Sequence, residues 1–288
     1  MMEKFAIKQN NNKKYIMDKF SVLIPTYQEK ERPYNLVKTI LKDKIANKID
    51  RIVIVTPDKS LILPKSKKIL LILEKERKGK WYAIKLGLKA IKTKIVIMLS
   101  SDLKMRNNFL SFLLKHFKDP YIGMVVGRPL ADKNSKIYPF SKIIWDLHHL
   151  LCLREPKGTE ICGFRKILTN FPRICADEVF IEYKIKKAGY KISYEPRAFG
   201  YTKIPYTLLQ LFRQRKRIFN GHLQVKKEYN FVVSSMKIHL ILSAMFQLLK
   251  RQRSIKLFFV LAVLIFIEIL ARIFATLEAF SNKFEIIW

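Results

Sequence analysis

Two spacings of apolar residue alternate along the first half of the chain. Residues 21–25, 51–55, 69–73 and 95–99 are short runs rich in β-branched side chains, apolar at almost every position, which predicts strands covered on both faces. Helical spacing falls between and after them, around 33–41, 81–91 and 108–117. This βαβα rhythm predicts an α/β fold: a mostly parallel sheet with helices on both faces. Such sheets bind ligands beyond the carboxyl ends of their strands, so the residues just after each strand become the candidates for chemistry.

The pattern then changes. The last proline is Pro205 and the last glycine Gly221, and the stretch beyond them lacks helix breakers, which predicts helix. Residues 206–227 and 231–249 are amphipathic, whereas 257–267 contain no charge and the apolar pattern runs on to about Leu277. Twenty-one helical residues reach about 31 Å, enough to cross a hydrocarbon core. Glu268 and Arg272 interrupt the run but stand four apart, on one helical face, where they can pair or meet a second helix. If both 231–249 and 257–277 spanned, the basic run Lys250, Arg251, Arg253 and Lys256 would lie opposite the main domain, against the positive-inside tendency. The preferred reading is interfacial helices followed by one transmembrane helix; a two-helix hairpin and a buried helix of a soluble oligomer are the alternatives. The expected organisation is an N-terminal extension (1–20), an α/β domain (21–225) and an interfacial and transmembrane helical region (226–288).

Composition narrows the class. With 288 residues of which 49% are hydrophobic, the chain can bury a sizeable core, which excludes a disordered tail, a collagen-like chain and a disulfide miniprotein. A formal charge of +33 calls for anions nearby, from nucleic acid, an anionic membrane surface or a phosphate-bearing substrate. Cys152, Cys162 and Cys175 have no close-paired spacing, so a reduced compartment is expected. The first twenty residues lack an apolar run of signal-peptide length, which places the main domain in the cytoplasm by expectation.

Candidate chemistry sits at the strand ends. Pro25, Thr26, Tyr27, Gln28 and Glu29 form a polar turn into a helix begun by Pro33, where exposed N–H groups can receive an anion. Thr56, Pro57 and Asp58 close the second strand, and Ser100, Ser101 and Asp102 the strand at 95–99. An acid at a strand end opposite phosphate can hold a divalent cation, though Asp102 could equally cap the next turn. Asp177 and Glu178 lead a helix ended by Gly189; the helix dipole favours acids there, and one of them could act as general base. Arg213, Gln214, Arg215, Lys216 and Arg217 form a dense basic cluster suited to diphosphate oxygens or to a lipid-facing surface. His148 and Cys152 stand four apart, but no further ligand falls at a zinc spacing, and Gly79-Lys80 continues into Trp81 rather than a P-loop.

Taken in order, these pieces resemble the family 2 glycosyltransferases with a GT-A fold, over about residues 20–222. The run 21–29 resembles the opening strand and nucleotide-binding turn. Lys78-Gly79-Lys80 with Ala83 and Gly87-Leu88 resembles the lysine–glycine segment. Ser100-Ser101-Asp102 stands in the place of the Asp-x-Asp motif, Gly163-Phe164-Arg165 in that of the Gly-x-Arg strand, and Asp177-Glu178 in that of the acidic catalytic pair. Residues 188–192 repeat the usual helix end and strand, and Gln214-Arg215-Lys216-Arg217-Ile218 is similar to the Gln-x-x-Arg-Trp motif of membrane-associated members.

The resemblance implies inverting transfer of a sugar from a nucleotide-diphosphate donor to an acceptor hydroxyl at the cytoplasmic membrane face. Pro25, Thr26, Tyr27, Glu29, Thr56, Asp58, Lys80, Ser100 and Ser101 would serve the nucleotide-sugar. Asp102 would hold Mg²⁺ or Mn²⁺, Glu178 or Asp177 would be the base, and Gln214, Arg215 and Arg217 would bind diphosphate or acceptor. Three departures stand out: Ser100 replaces the leading acid, the acidic pair is inverted so that Glu178 holds the usual base position, and Ile218 replaces Trp. A lipid-linked or glycan acceptor is expected. A non-catalytic scaffold that has lost metal binding is the alternative. A nucleic-acid partner is not expected, since no reading helix, zinc finger or ribonucleoprotein motif occurs, and a basic nucleic-acid-binding protein is kept as the remote alternative.

Overall fold

The computed structural model describes residues 19–281 and 284, apart from 169 and 253. The expected N-terminal extension thus lies almost wholly outside the described residues, as does Arg253 of the basic run. Eight strands form one sheet: β1 (Phe20–Pro25), β2 (Ile49–Thr56), β3 (Ile69–Leu73), β4 (Ile95–Leu99), β5 (Lys104–Met105), β6 (Ile122–Ala131), β7 (Ile161–Arg165) and β8 (Lys191–Thr202), in the order β3-β2-β1-β4-β7-β6-β8-β5. Six run in one direction, while β5 and β7 oppose them. The expected mostly parallel sheet is therefore present, with one reversed strand inserted beside β4. Reversal matters chemically, because it brings the start of β7 to the carboxyl end of β4.

Helices cover both faces, as the continuous apolar strands require. Side chains alternate across the pleat: Val22, Ile24, Ile52, Ile54 and Ile97 pack on α1 (Arg32–Leu41) and α3 (Phe109–Leu114). Leu23, Val53, Val55, Val96 and Met98 pack on α2 (Lys80–Ala90) and α5 (Asp177–Lys187). α3 is shorter than its apolar pattern predicts. Asn108 adopts a left-handed conformation (φ 57°) at its start, and Asp119, extended ahead of Pro120, stops a closing 3₁₀ turn at Lys115–Lys118.

A third apolar cluster joins α4 (Tyr138–Cys152), α6 (Leu208–Tyr229), α7 (Ile238–Arg251) and α8 (Ile255–Phe280). Leu257, Leu261, Leu264 and Ile267 form the inward stripe of α8 at helical spacing. The amphipathic segment expected at 231–249 becomes helical only at Ile238. Val233 is buried, and a single 3₁₀ turn at Ser234–Met236 intervenes. α8 is the one described helix long and apolar enough to cross a membrane, with a mean hydropathy of 2.7 over its most apolar window, of which 28% is buried. Glu268 and Arg272 pair as their spacing predicts, at 3.5 Å, and Glu268 also pairs with Arg215 of α6. Phe258, Phe259 and Phe266 of α8 and Ile238, Leu242 and Phe246 of α7 remain exposed.

Candidate active site

A cleft of about 810 Å³ opens at the carboxyl ends of β1 and β4. Its walls are the turn after β1 (Pro25, Thr26, Tyr27, Glu29), the start of α2 (Lys80), the end of β4 (Ser100, Ser101, Asp102), the start of α5 (Asp177, Glu178) and the inner face of α6 (Gln214, Arg215, Arg217). Of the residues that the resemblance assigns to donor, metal, base or acceptor, all line this cleft except two, and Gln28, Arg213 and Lys216 of the wider candidate segments also lie outside it. Thr56 is sealed beneath the end of β2, where its hydroxyl accepts a hydrogen bond from the Asp58 N–H. Asp58 itself opens onto a neighbouring groove with Ser60 and Gln28.

Several contacts fix the wall formed by the ends of β1 and β4. The Arg77 guanidinium stacks on the Tyr27 ring, 3.8 Å from its centroid, and donates to the Tyr27 hydroxyl at 3.1 Å. Arg32 donates to the Asp102 carbonyl at 2.6 Å and pairs with Asp132 at 2.8 Å, tying the end of β4 to α1. The Thr202 hydroxyl and the Lys203 N–H both donate to Asp102 Oδ2 at 2.9 Å. Both donors fall on one oxygen; among the described residues Oδ1 receives no hydrogen bond and stays available.

The opposite wall is built around Lys80. Its ammonium contacts Asp177 Oδ2 at 2.8 Å and also hydrogen-bonds Glu178. Burial alone would lower the Lys80 pKa, but the two carboxylates outweigh it and raise the value. Burial would likewise raise Glu178, yet the Lys80 charge and hydrogen bond hold its carboxyl below the usual range, ionised at neutral pH. Asp177, more enclosed, is pushed up to about 6 by burial and then by the charge of Glu178. The backbone beside these acids is tight: a Cβ at Gly158 would stand 2.5 Å from the Glu178 carbonyl oxygen. The Gly158 N–H donates to the buried Glu182 carboxylate at 2.8 Å, locking the segment before β7 onto α5.

Some lining residues escaped the sequence reading, notably Arg77, Trp145, Lys157, Glu160 and His222. Glu160 is the most consequential. Burial, then the charge of Asp102, pushes its carboxyl up to about 8 against the opposing hydrogen bond of Thr202, and its Oε2 is shielded from solvent without a hydrogen-bond partner among the described residues. No local motif marks it, because its place depends on the pairing of β7 with β4. The His148–Cys152 pair packs side by side on α4, with Cys152 Sγ 3.6 Å from the imidazole. Among the described residues no group of three or more His, Cys, Asp or Glu side chains is arranged to hold a metal ion. A cation here would need substrate oxygens to fill its shell, and the available Oδ1 of Asp102 and the orphaned oxygen of Glu160 are the hard donors that Mg²⁺ or Mn²⁺ takes.

Comparison with known proteins bears on the family and the fold. The sequence profile of "Glycosyl transferase family 2" matches residues 21–177, just over half of the chain. Poly-beta-1,6-N-acetyl-D-glucosamine synthase of Staphylococcus aureus (strain COL) is 24% identical over 165 residues, covering 52% of this chain and 40% of that protein. The protein of the same name from Staphylococcus epidermidis is 22% identical over 179 residues, 57% of this chain and 43% of its own length. The chain thus spans about two-fifths of the curated relatives it matches. Among solved structures, a mannosyltransferase from Pyrobaculum calidifontis in complex with GDP-Man and Mn²⁺ superposes with a TM-score of 0.55 at 17% identity, covering 92% of this chain and 85% of that one. Glucosyl-3-phosphoglycerate synthase from Mycobacterium tuberculosis, in complex with phosphoglyceric acid, gives 0.51 at 12% identity, covering 72% and 79%. At these identities the structural likeness establishes the fold.

Proposed function

The chain belongs to glycosyl transferase family 2, and from that premise we propose that it moves a sugar from a nucleotide-diphosphate donor to an acceptor hydroxyl, with inversion, at the cytoplasmic face of a membrane. One observation carries the proposal: a single cleft brings the Asp102 strand end together with the Lys80–Asp177–Glu178 group. Tyr27, braced by Arg77, offers a flat surface for the nucleotide base, with Pro25, Thr26 and Glu29 around it. Asp102 would hold Mg²⁺ or Mn²⁺ against the diphosphate, and the bound ion would neutralise charge on the departing group. Gln214, Arg215 and Arg217 line the side where further phosphate or acceptor oxygens would lie.

Glu178 is the general base of this reading. Its ionised carboxylate can take the proton of an acceptor hydroxyl brought within hydrogen-bond reach, a contribution of about 10²–10⁴ in rate. Lys80 keeps that carboxylate charged and aimed. Asp177 sits behind it and shares the same ammonium.

The acceptor side is apolar: Ile144, Trp145, Leu211 and Ile218 line the cleft, and Tyr206 is exposed at its edge. That rim, with the exposed apolar faces of α7 and α8, supports a lipid-linked or glycan acceptor presented at a membrane. The proposed division is catalytic over 21–225 and membrane-associated over 226–288. The name of the staphylococcal relatives favours a glycan product, whereas Ile218 gives a sugar no aromatic face on which to stack. A thermal-shift screen of nucleoside diphosphates and their sugars, with and without Mn²⁺, tests the donor assignment, because a ligand of the native state raises its stability. Stabilisation by at least one donor, larger with Mn²⁺, is expected; none across GDP, UDP and their common sugars would overturn it.

A further inference from the structure

Leu99, the last residue of β4, faces Ile161, the first of β7, in antiparallel register. The Ser100 N–H donates to the Glu160 carbonyl at 3.1 Å, so the opposed pairing continues one step further, to Ser100 and Glu160. Directly opposed residues on antiparallel strands place their side chains on one face, with Cβ atoms about 4.5–5.5 Å apart. The Glu160 side chain therefore stands beside that of residue 100 on the same face of the sheet, and residue 100 is serine where the family resemblance leads one to expect an acid.

Asp102 and Glu160 both stand beside Thr202, whose hydroxyl lies 2.9 Å from Asp102 Oδ2 and is also within hydrogen-bond reach of Glu160, so the two carboxylates compete for its single proton. Lys80, whose charge also reaches Glu160, is ion-paired with Asp177 and hydrogen-bonded to Glu178 instead. Glu160 Oε2 is left shielded from solvent with no donor among the described residues, next to a second carboxylate. Two acids sharing too few donors at the edge of a substrate cleft are resolved by a hard divalent cation, which needs oxygen ligands and takes the rest from phosphate and water.

We infer that Glu160, reaching across from β7, supplies the second carboxylate of the divalent-cation site beside Asp102, taking the place of the acid missing at position 100. The inference rests on the reading of Asp102 as a cation ligand. It assigns a ligand to a residue separated by some sixty positions from the motif it completes.

Manganese binding to the full-length protein, followed by the electron paramagnetic resonance of free Mn²⁺, tests this without assaying transfer. Mn²⁺ is titrated alone and with GDP or UDP into the parent chain, Glu160→Gln, Asp102→Asn and the double variant Ser100→Asp/Glu160→Gln. Glu160→Gln is expected to weaken Mn²⁺ by at least the ~10–100-fold that loss of even an outer-shell partner costs. Its metal-free unfolding midpoint is expected not to fall, and the double variant should regain affinity over Glu160→Gln. Parent-like Mn²⁺ binding by Glu160→Gln, with binding lost in Asp102→Asn, would overturn the role of Glu160 and leave that of Asp102 standing. A lower metal-free midpoint in Glu160→Gln that Ser100→Asp does not offset, with affinity unrestored, would also overturn it, as a structural role. Absence of Mn²⁺ binding by the parent chain, with or without nucleotide, would overturn both readings.

Discussion

Replacing Lys80 by Met keeps most of the aliphatic stem and removes the one charge shared by Asp177 and Glu178. At 2.8 Å from Asp177 Oδ2 the Coulomb attraction is about 6 kcal/mol at an effective dielectric of about 20, and Glu178 adds a second contact of the same kind. Desolvation of the ammonium, whose side chain is only 21% exposed, offsets most of this, so the expected net loss is about 3–5 kcal/mol, the usual cost of removing one partner of a buried pair. The pH dependence has a definite sign. Lys80 is held above its ordinary pKa and Glu178 below its own, so their mutual stabilisation is full between those ordinary values and is lost as pH falls from the ordinary value of Glu178 through its lowered one. In Lys80→Met the two acids relieve their repulsion by binding a proton. Urea unfolding at pH 8 and pH 5 should therefore show a large deficit at pH 8 that shrinks at pH 5, and the acidic limb of the pH–rate profile should move upward. Equal deficits at the two pH values, or a parent-like midpoint at pH 8, would refute the shared counter-charge.

Three further outcomes follow from the same geometry. Glu178→Gln should lower turnover by about 10²–10⁴-fold. It should leave donor affinity within a few-fold of the parent chain, measured by calorimetry beside a turnover assay. Gly158→Ala should drive a methyl into the Glu178 backbone at 2.5 Å and shift the carboxylate proposed as base, lowering kcat by about 10²-fold with KM for the donor little changed. Flotation with vesicles containing anionic lipid should carry the parent chain upward and leave Phe246→Glu/Phe266→Glu behind, since these rings are 71% and 62% exposed on α7 and α8; equal flotation would remove that face from the membrane contact.

β1, β2 and β4 were readable because they are buried on both sides, whereas the edge strand β3 is as apolar in sequence yet leaves Leu71 and Leu73 exposed, so its expected double cover is not met. The runs at 69–73 and 95–99 match β3 and β4 residue for residue, and β1 and β2 differ by only a residue or two at their ends. The strand-end rule found the cleft for the same reason, since sheet direction decides where loops converge. Cross-strand relations were not readable. Glu160 belongs to the site only through the register of a reversed strand, and Lys80 meets the acids of α5 across 98 positions of sequence. Thr56 and Asp58 follow a strand as the rule demands, yet β2 lies one strand farther from β4, and the turn carries Asp58 toward a different groove. The 3₁₀ turn before α7 was hidden because Phe231 and Val233 fit the helical apolar pattern while packing instead against α5, where Phe231 lies 5.7 Å from the ring of Tyr183.

Transfer itself is the most direct test. Membranes bearing the full-length chain, supplied with Mn²⁺ and a panel of nucleotide-sugars, are assayed for nucleoside diphosphate release, and the anomeric configuration of the product is read by NMR. Release from at least one donor, a product inverted relative to that donor, and loss of both in Glu178→Gln are expected. A product of retained configuration, or a Glu178→Gln chain as active as the parent, would contradict transfer by direct attack of a hydroxyl that Glu178 deprotonates.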